Sequence, residues 1–279
     1  MQITLDFFSP KPNYPTYPPY HTGLYLEDYF MDFLFKNKPN TGRYFIPVSW
    51  TSYYNNMMPR NILQAFLNSL NQNLPYYVVC QHDDAPIEKL PPNTLIFSAG
   101  GNYSGPNCIP LPLICSSLKK PDKTDKDIFC SFVGSGTHEI RNELFKTWKD
   151  DKDFLFTQGG WDIKVSEDKL NHFITVTNRS KFALCPRGYG KSSFRLYEAM
   201  QIGAVPVYVS DDHYLPWTDE LDWNDFCVLV QQKDIPNLKN ILSSIDDVKY
   251  NSMLNKAKQI YDTYFTLEGM TNNILKRVQ

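Results

Sequence analysis

The stretch Lys181–Asp211, KFALCPRGYGKSSFRLYEAMQIGAVPVYVSD, decides the fold. Lys181–Cys185 is short and mostly apolar, and Pro186-Arg187-Gly188-Tyr189-Gly190 is a turn cluster. Ser192 or Ser193 can cap a helix running from about Phe194 to Gln201, and Gly203 ends it. Ala204–Val209 is β-branched and apolar, which predicts a buried parallel strand closed by Ser210-Asp211-Asp212. Strand, glycine turn, helix and strand in that order form a βαβ unit, so the fold class is α/β.

Such a unit makes an anion site. The helix N-terminus offers unpaired N–H groups and a partial positive charge. Gly188 and Gly190 let the backbone approach a ligand, and Arg187, Lys191 and Arg195 surround the same turn. A diphosphate matches that arrangement. Glu198 lies three residues beyond Arg195 on the same helix face, where a carboxylate can accept hydrogen bonds from a ribose diol. An ordinary βαβ unit with a solvated basic turn would carry some of the same residues. Three basic residues, two glycines and two serines at one helix start favour the nucleotide-diphosphate reading. Two other nucleotide signatures are excluded. A phosphate-binding loop ending in Gly190-Lys191-Ser192 needs a glycine where Cys185 stands, and a dinucleotide fingerprint starting at Gly188 needs one where Ser193 stands.

The segment CPRGYGKSSFRLYEAMQIGAVPVYVSD resembles, without gaps, the signature of the exostosin-like glycosyltransferases, glycosyltransferase family 47. The resemblance implies two facing Rossmann-like domains of the GT-B type, with the active site in the cleft between them and the donor nucleotide on the second. It implies an inverting transfer from a nucleotide sugar, with Arg195 and Glu198 contacting the donor. The charged, turn-forming run Lys119–Asp127, KKPDKTDKD, reads as the linker. The expected division is therefore an acceptor-side domain over 1–122, a nucleotide-sugar-binding domain over 123–260, and a C-terminal helix over 261–279 that crosses back.

The 279 residues are long enough for two domains. A net charge of −2 implies no general affinity for nucleic acid or anionic membrane. Aromatics make up 15%, which suits sugar stacking and a large core equally well. The six cysteines form no Cys-x-x-Cys pair and four sit in apolar runs, so they read as reduced, mostly buried thiols of a reducing compartment. The start, MQITLDFFSP, has no basic region followed by a long apolar run, and no stretch approaches the roughly 20 apolar residues of a membrane span. The expected location is cytoplasmic, unlike the Golgi-anchored members of the family. Asn102-Tyr103-Ser104 and Asn178-Arg179-Ser180 match the glycosylation pattern but mean nothing in a cytosolic protein.

Along the chain, the five prolines of 9–20 predict an extended arm. His21–Phe35 has helical period, Arg43–Trp50 reads as a strand, and Asn61–Leu70 as a helix with Ile62, Phe66 and Leu70 inward. Tyr76–Cys80 and Asn93–Phe97 read as strands, with Gln81-His82-Asp83-Asp84 at the end of the first. The second half opens with strand Ile128–Val133, loop Gly134-Ser135-Gly136 and helix Glu139–Trp148. Arg141 lies near that helix start and can either reach a phosphate or lie exposed. Phe154–Phe156 and Phe226–Val230 are further strands, and Pro236–Ser244 and Val248–Phe265 are helical.

An inverting transfer needs a base for the acceptor hydroxyl and positive charge or dipoles on the departing diphosphate. Asp83, a carboxylate at a strand end beside a histidine, leads the candidates for base, followed by His82, Asp84 and Glu27. The resemblance points the same way, since members often carry a His-Asp pair here and an acidic residue on the early helix. Asp125-Lys126-Asp127 and Asp151-Lys152-Asp153 match the Asp-x-Asp manganese motif but lie in lysine-rich runs and read as solvated charge. His82-Asp83-Asp84 is too tight a cluster for a full octahedral site, and His138, His172 and His213 lack zinc spacing. The expectation is no metal and no cofactor, with a UDP-sugar as donor substrate and an oligosaccharide or glycoprotein glycan as acceptor. A non-catalytic carbohydrate-binding protein and a metal-dependent transferase using Asp83 and Asp84 remain open. The short chain is similar to stand-alone exostosin-like proteins of large algal DNA viruses, and on that likeness the expected donor is UDP-xylose or another UDP-pentose.

Overall fold

The computed structural model describes residues 5–10, 25–84, 86–103, 105–115, 117–118, 124–162 and 165–279. Most of the proline-rich arm, the first residues of the helix predicted over His21–Phe35, Ser104, and residues 119–123 of the predicted linker lie outside them. In chain order the helices are α1 (Leu5–Phe8), α2 (Leu26–Asn37), α3 (Trp50–Asn55), α4 (Arg60–Ser69), α5 (Glu139–Trp148), α6 (Glu167–Arg179), α7 (Phe194–Ile202), α8 (Leu238–Ser243), α9 (Asp247–Ile260) and α10 (Leu267–Val278). The strands are β1 (Tyr44–Phe45), β2 (Tyr76–Cys80), β3 (Thr94–Ser98), β4 (Cys108–Pro110), β5 (Ile128–Ser135), β6 (Phe154–Gly159), β7 (Ser180–Leu184), β8 (Val205–Ser210) and β9 (Val228–Gln231).

The contacts divide the chain into Met1–Ile114 with Thr266–Gln279, and Cys115–Phe265. The sequence placed these divisions at 122/123 and 260/261. The shift has a local cause: the proline-broken segment after β4 still belongs to the first sheet, because Leu111 N–H donates to Ser98 O at 2.8 Å and Leu111–Cys115 are buried. At the other end Thr266 caps α10, its hydroxyl accepting from Gly269 N–H at 3.1 Å. Gly42 N–H donates to Val278 O at 2.7 Å, tying the end of α10 into the first unit.

The first unit holds a parallel sheet of order β1-β2-β3-β4. All five residues of β2 are buried, as expected of a parallel strand covered on both faces. Ile46, Val48, Trp50, Leu63, Leu67, Val78 and Ile96 form its core. Two readings needed correction. The strand predicted over Arg43–Trp50 stops early: Ile46 N–H still reaches Tyr77 O at 3.0 Å, Pro47 has no N–H to continue the ladder, and Trp50 opens α3. The buried stripe of α4 is Leu63 and Leu67 rather than Ile62, Phe66 and Leu70. β4 was not expected at all, since its prolines hid an edge strand, where Pro is tolerated.

The second unit holds a parallel sheet of order β6-β5-β7-β8-β9. Cys130, Phe132, Phe182, Val205, Val207, Val209 and Val230 fill its core, with Ile140 and Leu144 of α5. β5 is followed by β6 on one side, whereas β7, β8 and β9 build outward on the other. The direction of winding therefore reverses between β5 and β7, the place where ligands bind in open α/β sheets. Gly203 ends α7, as the sequence predicts, and does so in the left-handed conformation at φ 101°. The helix predicted over Val248–Phe265 splits into α9, capped by Asp246 accepting from Lys249 N–H at 2.7 Å, and a π-helical turn over Tyr261–Phe265. All six cysteines are free thiols. Among the described residues no helix is long and apolar enough to cross a membrane.

Candidate functional site

In the second unit the loops after β5 and β7 meet. The ladder between β7 and β8 runs on past the strand, with Cys185 N–H to Val207 O at 2.8 Å and Arg187 N–H to Val209 O at 3.0 Å. The chain then turns through Gly188, Tyr189 and Gly190 into α7. Arg141, from the first turn of α5, braces this turn. Its Nε donates to Arg187 O at 2.9 Å, Nη1 to Ser135 O at 2.9 Å and Nη2 to Pro186 O at 3.2 Å. Burial, reinforced by the nearby Arg195 charge, pushes its guanidinium down to about 10. Arg141 is thus a strut between the two loops; the phosphate contact considered for it would compete with these bonds. A Cβ on Gly188 would stand 3.2 Å from Arg141 Nη2, so the glycine makes room for the strut. Neither Gly188 nor Gly190 has positive φ.

Arg195 and Glu198 stand in the first turns of α7. Arg195 Nη1 pairs with Glu198 Oε2, and its Nε donates to Val133 O at 2.8 Å. Its guanidinium lies 4.0 Å from the centre of the Phe173 ring. Glu198 is only 1% exposed. Ser193 occupies the N-cap position with extended φ and ψ, yet its hydroxyl makes no cap bond; it is buried and unpartnered among the described residues. Ser192 is buried beside it, and Tyr189 is exposed. The N-cap hydroxyl of α7 is therefore not bonded to the helix start.

The other two cations of the turn carry counter-ions that the sequence reading passed over. Arg187 Nη1 donates to Asp211 Oδ1 at 2.7 Å, and Lys191 Nζ pairs with Asp212. Ser210-Asp211-Asp212 read as a polar close to β8. The signal was there, two acids at the carboxyl end of the neighbouring strand. The turn is accordingly a set of matched ion pairs rather than a bare basic patch.

In the first unit, Gln81–Asp84 follow β2 as predicted. Asp83 is pushed up to about 6, first by burial and then by the neighbouring Asp84 charge, and no described residue donates to its carboxyl. Its backbone is fixed: Asn102 N–H donates to Asp83 O at 3.1 Å, and a Cβ on Gly100 would lie 2.1 Å from Asp83 Cα. His82 Nδ1 accepts from Asp84 N–H at 3.2 Å, so the neutral ring carries its proton on Nε2. Burial lowers its pKa and favours that neutral form. Asp84 Oδ1 accepts from Asn102 Nδ2 at 2.9 Å. The His82 ring stands edge-on to Tyr54, whose hydroxyl binds Glu88, and Glu88 also takes Arg60 Nε at 2.8 Å. That Arg60–Glu88–Tyr54 chain behind the histidine was missed, because Tyr54 and Glu88 are 34 positions apart.

Glu27 is fully buried in the first turn of α2. Its Oε1 accepts from Thr51 Oγ1 at 2.6 Å, Thr51 N–H at 3.2 Å and Gln81 N–H at 2.9 Å. Burial pushes it up to about 7, against those hydrogen bonds and with help from Asp28. The two Asp-x-Asp runs lie elsewhere and hold ion pairs: Asp127 with Arg179, and Asp151 and Asp153 with Lys239. No cluster of three metal-binding side chains occurs among the described residues.

Residues 97–245, more than half of the chain, match the family model described as the Exostosin GT47 domain. The chain belongs to the exostosin GT47 family. It is 33% identical over 140 residues to a probable glycosyltransferase of Arabidopsis thaliana, covering 50% of this chain and 28% of that protein. It is 34% identical over 134 residues to the probable β-1,4-xylosyltransferase IRX10L of the same plant, covering 45% and 31%. It is 31% identical over 157 residues to an exostosin-1 homolog of Caenorhabditis elegans, covering 52% and 40%. The chain thus spans well under half the length of these relatives. Among solved structures, TarM is similar at 12% identity with a TM-score of 0.43, over 76% of this chain and 51% of that one.

Proposed function

We propose that this chain is an inverting, metal-independent glycosyltransferase that moves a sugar from a UDP-sugar onto a hydroxyl of an oligosaccharide or glycoprotein glycan. Membership of the exostosin GT47 family supports the reaction class. The observation that carries the donor site is the Arg195–Glu198 pair at the start of α7, beside a Ser193 hydroxyl that makes no cap bond, at the reversal of winding between β5 and β7. The diphosphate lies at that helix start, where the amides and Arg195 offset the charge of the leaving group. Glu198 accepts from the ribose. Arg187 and Lys191 exchange part of their pairing with Asp211 and Asp212 for phosphate oxygens.

Asp83 takes the acceptor proton. It is the strand-end carboxylate without a described donor, whereas Asp84 is bound to Asn102. His82 spends Nδ1 on the Asp84 amide and presents a donor at Nε2, so it orients the acceptor oxygen rather than deprotonating it. Xylose as the transferred sugar draws support from the name of the IRX10L relative.

A thermal-shift panel of UDP- and GDP-sugars, each with chelator and with added manganese, tests the reading. UDP and UDP-sugars raise the melting temperature equally in both conditions, since a ligand that binds only the folded state stabilises it. No shift with any uridine nucleotide, or a shift only with manganese, contradicts it.

A further inference from the structure

The first unit carries a group of buried polar atoms that the donor reading does not use. Glu27 Oε1 accepts three hydrogen bonds, but Oε2 of the same fully buried carboxyl has no partner among the described residues. Gln81 Nε2, Ser52 Oγ and Trp50 Nε1 are also buried without partners. The residues that carry these atoms are joined by hydrogen bonds or are chain neighbours of residues so joined. Gln81 gives its backbone N–H to Glu27, and its side-chain oxygen accepts from Leu26 N–H at 3.2 Å, the residue before Glu27. That bond also decides which end of the amide is oxygen, since only the oxygen can accept it. Trp50 and Ser52 flank Thr51, which holds Glu27 through both its amide and its hydroxyl. Buried polar atoms are almost always satisfied, and each exception needs a cause.

The chemistry of these atoms selects the partner. An ionised Oε2 needs a donor, and a protonated one needs an acceptor. Gln81 Nε2 and Trp50 Nε1 are donors only. An anion would be repelled by the carboxylate. A cation needs several oxygen ligands, and this set offers one carboxylate and one hydroxyl, its other members being N–H donors. A hydroxyl both donates and accepts, so it satisfies Glu27 in either protonation state and takes Gln81 Nε2 as well. We propose that Glu27 Oε2, Gln81 Nε2 and Ser52 Oγ form a binding site for a hydroxyl group, supplied either by an ordered water or by a hydroxyl of the acceptor sugar. Only the sugar source rests on the transfer reaction proposed above. The site lies two residues before Asp83 in the chain, so its occupant helps fix the strand end that carries the base.

High-resolution crystals of the full chain, alone and soaked in xylobiose, test this. An oxygen within hydrogen-bond distance of Glu27 Oε2 and Gln81 Nε2 in the unsoaked crystal identifies water. One that is seen only after soaking and is continuous with a sugar ring identifies the acceptor. Glu27 Oε2 bonded to a protein donor in both crystals overturns the proposal. In solution, carbon-13 titration of the Glu27 carboxyl in Gln81→Leu gives a midpoint at least about one pH unit above wild type, because the hydroxyl is lost and its bond to the ionised carboxylate is stronger than its bond to the protonated one. An unchanged midpoint overturns the proposal; if Gln81→Leu does not fold, Ser52→Ala gives the same readout. None of these measurements needs nucleotide or turnover, so a failure here leaves the donor site standing, and failed UDP binding leaves this site standing.

Discussion

Arg195 reaches along α7 to Glu198 with one arm and to the Val133 carbonyl with another, at 2.8 Å. The pair therefore ties the start of α7 to β5, across the place where the sheet reverses its winding. A buried carboxylate in that position is held by its arginine, and the proposed donor site uses both. Glu198→Gln keeps the shape and removes the charge. UDP affinity measured by calorimetry falls about 10- to 100-fold, the worth of one charge-assisted hydrogen bond. Unchanged affinity removes Glu198 from the site.

Asp83→Asn leaves UDP affinity unchanged and cuts turnover roughly 100-fold or more, measured as UDP release from the best donor of the panel. The pH profile adds a sign. Asp83 is raised from 3.8 to about 6, and a base works when ionised. Wild-type kcat/KM therefore rises as pH increases through about 6 and is flat above. The same shift contributes stability that is present below pH 3.8 and lost as pH rises through about 6. A profile with no limb near 6 excludes Asp83 as the base.

Arg141 makes three bonds to backbone carbonyls and, among the described residues, no carboxylate pair. Arg141→Ala leaves Ser135, Pro186 and Arg187 carbonyls without their donor and destabilises the second unit by about 3–5 kcal/mol in urea denaturation. A loss of UDP affinity without a loss of stability would show that Arg141 serves as a ligand rather than as a strut.

Gly100→Ala forces a methyl to within 2.1 Å of Asp83 Cα unless the backbone moves. The expected cost is about 1–3 kcal/mol, with turnover falling further than the stability change explains because Asp83, the proposed base, is displaced. Full activity in this variant would mean that the Asp83 turn does not need its observed position.

Much of this arrangement is legible in the sequence where contacts are local. The strand–turn–helix–strand order from Ser180 to Ser210 follows from apolar runs broken by Pro, Gly and Ser within 31 residues. Gly203 declares the end of α7 because few other residues tolerate φ 101°. What the sequence hides depends on distant partners or on prolines. The Glu27 carboxyl meets donors 24 and 54 positions away, and nothing in the local pattern around it announces them. The face of α4 was misread by one position because Ile62 and Phe66 are half-buried neighbours of the buried Leu63 and Leu67. β4 looked like a proline loop, and only its place at the sheet edge makes it a strand. The counter-ions of Arg187 and Lys191 needed the β7–β8 register, which brings Asp211 and Asp212 beside the turn.

The central claim is that a sugar nucleotide is held by its diphosphate at the start of α7. A crystal structure of the chain with UDP, grown in chelator, tests it most directly. The account predicts phosphate oxygens within hydrogen-bond distance of the Arg195 guanidinium and of first-turn amides of α7, with the ribose at Glu198. UDP bound elsewhere, or Arg195 and Glu198 left out of contact with bound nucleotide, would contradict it.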